Sequence, residues 1–165
     1  MSNVTKASLK EIYQIDEYLW LEETIKILRK NCLEELDLEN LIEELQNLGK
    51  RDLNKVRSLL RQIIIHLLLL EYWPEEHERN YRHWTGEITA FRADLSDNLT
   101  TTLKNKLHED LASIYQTALK IVRQKTGLSQ DTIPENCPYS LDQLLDDNWY
   151  PEGQLIMEPD VKLFE

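Results

Sequence analysis

The stretch whose reading decides the fold is residues 37–73, DLENLIEELQNLGKRDLNKVRSLLRQIIIHLLLLEYW. Its apolar residues recur at Ile42, Leu45, Val56, Leu59, Ile63 and Leu70, and Gly49, Asp52 and His66 fall on the same heptad-spaced seam. That spacing predicts a long amphipathic helix, or two helices nearly in line, burying one stripe against partners. Gly49 is the point where the element could break or kink, since glycine costs about 1 kcal/mol relative to alanine inside a helix. A close helix–helix approach is the other explanation for it. Between Ile63 and Leu70 only His66 is polar. A turn apolar on every face must be buried on every face, so this part is expected at the centre of a bundle.

Working outward, Ser8-x-x-Glu11 has the form of a capping box and predicts a short helical turn. Asp16 is the expected N-cap of the first substantial helix, through about Lys30. Tyr18, Leu21, Ile25 and Leu28 form its predicted buried stripe, with Trp20 and Ile27 at the margins. On the other side, Trp73-Pro74 ends the long element, because proline disfavours a helical residue before it. Residues 75–80 read as a charged connection, and a third helix over 81–95 is expected to bury Trp84, Ile88, Phe91 and Leu95. Ser96-Asp97-Asn98 reads as an interruption, residues 99–106 as a short linking helix, and 108–125 as the fourth main helix, capped by a left-handed Gly127. Ser140-Leu141-Asp142-Gln143 is a second capping box, opening a short helix in a proline-punctuated arm that Trp149 and Tyr150 anchor. The expected fold is therefore all-α. It is a single domain over 1–165, a helical bundle with about four main helices, one short linking helix and an irregular C-terminal arm ending in an acidic tail at 153–165.

Four glycines and five prolines in 165 residues leave few turn sites, which favours long helices over a many-stranded sheet. The net charge of −11 disfavours nonspecific binding to nucleic acid and to anionic lipid, both polyanions. The charge is segregated. Residues 1–49 carry eleven acids against five bases, whereas 50–92 hold eight Lys/Arg, three of the four histidines and six acids. Cys32 and Cys137 belong to no metal-ligand pattern, and the N-terminal residues lack the apolar core of a signal peptide. The longest apolar run is far short of the ~20 residues that span a bilayer. A cytoplasmic chain with reduced thiols is the expectation.

Several pieces of the chain resemble the bacterial family called domain of unknown function 29, abundant in cyanobacteria. They are Tyr18-Leu19-Trp20-Leu21-Glu22, the run DLENLIEEL at 37–45, His66-Leu67-Leu68, Pro74, Trp84, and Cys137-Pro138-Tyr139-Ser140-Leu141-Asp142-Gln143-Leu144-Leu145, the most specific of them. The resemblance covers about residues 10–152 and implies an all-helical fold. The family brings no catalytic assignment with it.

The polar residues on the seam are the candidates for chemistry. His66, between Ile65 and Leu67, could be a metal ligand or an acid/base group, or a core histidine satisfied by a backbone carbonyl or a carboxylate. Asp52 shares the seam but stands about 21 Å from His66 along a helix axis, too far to share an ion. His83 and Glu87 have i, i+4 spacing and, with His66, are weak metal candidates. The Glu-x-x-His pairs of carboxylate-bridged di-metal bundles do not occur. Arg79, Arg82 and Arg92 are expected on a solvated side, opposite Trp84 and Phe91. A Cys137 nucleophile would need His66 or His108 brought to it by folding. No cofactor is implied. The leading expectation is a non-enzymatic protein that binds another protein or forms a homodimer, with no nucleic acid and no membrane. Its rival is a metal-dependent or hydrolytic enzyme using His66 with carboxylates of neighbouring helices.

Overall fold

A computed structural model describes residues 4–152. Among them it shows six α-helices and no strand: α1 (Lys6–Ile15), α2 (Glu17–Arg29), α3 (Leu38–Tyr72), α4 (Pro74–Asn98), α5 (Thr101–Thr126) and α6 (Leu141–Leu145), with a 3-10 turn at Leu33–Glu35. The acidic tail at 153–165 lies outside the described residues. The all-helical expectation holds. The chain divides into two compact units between Arg51 and Asp52, a boundary that falls inside α3.

The first unit is built on Trp20. Thr5, rather than Ser8, caps α1, its hydroxyl accepting from the Ser8 amide at 3.3 Å, and Asp16 caps α2 by accepting from the Leu19 amide at 3.0 Å. Trp20 is fully buried with Leu9, Ile27 and Leu36. Its indole N–H donates to Asp37 Oδ2 at 3.3 Å, and Asn40 Nδ2 donates to the same oxygen at 2.6 Å. Tyr13 sets its ring edge-on to the indole at 5.0 Å and donates its hydroxyl to Glu44 Oε1 at 2.7 Å. The stripe on α2 is thus Trp20, Thr24 and Ile27, and the expected one is corrected: Tyr18 is 73% exposed, and Leu21, Ile25 and Leu28 are exposed too. Both sets have helical spacing, so periodicity alone cannot choose between them. Trp20 carries the largest apolar area and an N–H that finds a buried acceptor in Asp37.

In the second unit the α3 seam turns inward from Val56 onward, with Leu59 partly buried, and Ile63, Ile64, Ile65, Leu67, Leu68, Leu69 and Leu70 all buried. The prediction of a central, wholly covered turn is correct, with His66 the half-buried exception. Trp84, Ile88 and Leu95 of α4 and Leu107, Ile114, Tyr115, Ala118 and Val122 of α5 complete this core. Three helix boundaries differ from expectation. Residues 75–80 form the first turns of α4, because Pro74 occupies the first helical position, where its missing N–H costs nothing and its fixed φ suits the helix. Glu75 and Glu76 then favour the helix N-terminus. Ser96-Asp97-Asn98 continue α4, with Asn98 Nδ2 donating back to the Asp94 carbonyl at 2.7 Å. The expected linking helix and fourth main helix are one element, α5, since no glycine or proline interrupts 101–126. Gly127 ends it in the left-handed region at φ +66, as expected.

The arm after α5 is held by side chains. Ile133 is buried, Tyr115 donates its hydroxyl to the Pro134 carbonyl at 2.5 Å, and Gln116 donates to the Glu135 carbonyl at 2.6 Å. Tyr139 donates to Glu71 Oε2 at 2.5 Å and meets Trp149 edge-on at 5.5 Å. α6 begins with the expected reciprocal capping box of Ser140 and Gln143. Its other end is met by Arg92, which is buried and not on a solvated side. Nε donates to the Leu144 carbonyl at 2.9 Å and Nη2 to the Gln143 carbonyl at 3.2 Å, while Tyr150 lies 5.2 Å under the guanidinium. A cation aimed at the last carbonyls of a helix suits its macrodipole.

Candidate functional site

His66 lies on the buried half of α3 and its Nδ1 stands 2.7 Å from the Gln62 carbonyl one turn back. That contact makes Nδ1 the protonated nitrogen and leaves the Nε2 lone pair as the ring's reactive position. Phe91 packs against the imidazole at 5.5 Å between ring centres. Burial pushes the His66 pKa below the usual histidine value, opposed by its bond to Gln62 and by the charge of Glu87, and reinforced by Lys125 and His83. The neutral ring is therefore the folded form near neutral pH. Glu87 and His83 are near enough to act through their charge. Even so, among the described residues the group whose ligand atoms lie within 4.8 Å of one another is Cys32, Glu34 and Glu35, not His66, His83 and Glu87. Cys32 is half-buried there, whereas both glutamates are exposed.

Asp52 does not lie on a buried stripe. It is exposed, as is Gly49, and a Cβ built on Gly49 meets nothing within 4 Å. Within this unit, then, Gly49 neither breaks α3 nor serves a close approach. His108 and Cys137, distant in sequence, line one groove of about 340 Å³ together with Tyr115, Gln116, Asn136 and Tyr139. The thiol is not primed as a nucleophile. Burial pushes its pKa up, and its S–H donates to the Tyr139 carbonyl at 3.3 Å.

The feature that the sequence reading misplaced is a surface. Among the described residues, eleven of the twelve exposed large apolar side chains fall between Ile15 and Leu48. On α2 they include Tyr18, Ile25 and Leu28, and on α3 Leu38, Ile42, Leu45 and Leu48, each about half exposed or more except Ile25 and Leu28 at 45% and 44%. Ile42 and Leu45 are 53% and 59% exposed, so the seam predicted to be buried faces outward over its first three turns. The signal was present in the sequence as stripes of correct period. What periodicity cannot say is whether the covering partner belongs to the same chain.

A model of the family described as "Domain of unknown function DUF29" matches residues 12–150. The chain belongs to that family. No curated protein matches it. A DUF29 member is expected to be helical, and a solved structure agrees in fold: an α-helical protein of unknown function from Rhodospirillum rubrum, solved at 1.45 Å resolution, is 22% identical. The similarity covers 87% of this chain and 94% of that one, with a TM-score of 0.61. Among the described residues, no helix is long and apolar enough to cross a membrane.

Proposed function

We propose that this DUF29 chain is a non-enzymatic cytoplasmic protein that works by binding another protein chain through the apolar surface of its first unit. The observation that carries the reading is the concentration of exposed large apolar side chains between Ile15 and Leu48. Monomeric proteins scatter such residues singly, and contiguous apolar surface marks interaction sites. The acidic balance of residues 1–49 and of the whole chain points away from nucleic acid and anionic membrane as the partner. His66 serves as a packed histidine bonded to Gln62, and Cys137 as a protonated core thiol.

The test compares the wild-type chain with Ile42→Glu/Leu45→Glu, both tagged and purified from the native host at equal abundance. Both substitutions sit on the exposed half of α3, so helicity by circular dichroism should not change. The reading predicts a co-purifying protein, its own untagged copy included, that the double variant loses. An identical set of proteins from both chains would overturn it. So would stoichiometric zinc, iron or manganese in protein purified without a histidine tag, because that result would restore the enzyme using His66.

A further inference from the structure

The exposed seam of α3 is one continuous line, Leu38, Ile42, Leu45 and Gly49, at spacings of four, three and four residues. It runs about 17 Å along the helix at 1.5 Å per residue. Three of its members are large, apolar and at least half exposed, and the fourth is a glycine with open space beside it. Glycine at this position is unfavourable for a solitary helix by about 1 kcal/mol, and no backbone demand or neighbouring group explains it. Beside the seam, on one flank, lie Glu39 and Glu43 near the start and Lys50 near the end. Glu39 is 85% exposed even while it pairs with Lys10 at 3.2 Å.

Resting on the protein-binding reading above, we infer that the occupant of this seam is a second copy of the chain, paired antiparallel through Leu38, Ile42, Leu45 and Gly49. Antiparallel seams set each member opposite its counterpart from the other end. Leu38 then faces Gly49 of the second copy, so the large side chain enters the space the glycine leaves, and Ile42 faces Leu45. A parallel pair would put Gly49 against Gly49 and leave a void. The flank selects the same arrangement. Antiparallel pairing sets this flank against itself and brings Glu39 beside Lys50 of the second copy, twice by symmetry, whereas parallel pairing sets it against the opposite flank, where Leu41 and Leu48 offer no charge to either residue. The seam is thus complementary to itself in both size and charge, as a twofold interface requires.

Charge reversal tests the pairing and its direction. Glu39→Lys/Glu43→Lys leaves three bases on the flank, and Lys50→Glu leaves three acids. By light scattering up to ~100 μM, a range suited to a small interface, the wild type should approach twice the chain mass. Each reversed variant alone should stay at one chain mass, and their equimolar mixture should return to two. Gly49→Leu should also stay at one chain mass, with helicity retained. A wild type of one chain mass throughout, or reversed variants that pair as well as the wild type, would overturn the inference. A monomeric wild type that still loses a co-purifying protein on Ile42→Glu/Leu45→Glu would overturn self-pairing alone and leave the protein-binding reading standing.

Discussion

His66 and Arg92 are both polar residues on apolar helix faces, and the chain treats them differently. Burial depresses the His66 pKa, so the folded state binds fewer protons than the unfolded state just below the ordinary histidine value of 6.5. The stability this group allows is complete above about pH 6.5 and is lost as pH falls toward and through the lower folded value. Urea midpoints for the wild type should therefore drop between pH 7 and pH 5 more than those of His66→Leu, which should keep the fold and has no imidazole to protonate. Equal acid sensitivity in the two proteins would show that His66 is not the group involved. Arg92 is 2% exposed and supplies two charge-assisted bonds to the end of α6. Arg92→Ala should cost roughly 2–4 kcal/mol in chemical denaturation. Arg92→Lys should recover little of it, since a lysine cannot reach two carbonyls in a planar fork or stack on Tyr150. The role of Arg92 was not legible in the sequence, where it looks like its neighbours Arg79 and Arg82. Its carbonyl partners lie about fifty residues away, at Gln143 and Leu144.

At the scale of elements, the sequence is legible where local chemistry decides and illegible where it does not. Asp16, Gly127 and the Ser140–Gln143 box act within one turn and bound their helices as predicted, whereas at α1 Thr5 takes the capping role expected of Ser8. Both ends of α4 differ from expectation because neither Pro74 nor the Ser-Asp-Asn triplet acts as a breaker. Proline is also a good first residue, and Asn98 bonds back into its own helix. Gly127 and Gly49 give opposite predictions. Gly127→Ala should destabilise by about 1 kcal/mol, because its φ of +66 suits a residue without a Cβ. In the Ile42→Glu/Leu45→Glu background, where the seam is disabled, Gly49→Ala should stabilise by about 1 kcal/mol, since α3 there is regular and open. Thermal melts of both variants check the signs. A destabilising Gly49→Ala in that background would mean that α3 itself needs the glycine.

For the whole molecule, the buried apolar residues gather into two clusters, one around Trp20 and one from Val56 onward. From Val56 onward the chain supplies its own cover, and there the predicted burial at Ile63 through Leu70 holds. Between Ile15 and Leu48 the same pattern meets solvent. Hydrophobic periodicity reports that a face needs a partner, and it does so equally for a neighbouring helix and for another chain. The account's central claim is that this surface is covered when the protein works. Carbene footprinting tests it most directly, by comparing the dilute purified chain with the chain in an extract of its own host. The account predicts reduced labelling of Ile42, Leu45 and their neighbours in the extract, with the groove around His108 and Cys137 unchanged. Equal labelling of Ile42 and Leu45 in both samples would contradict it.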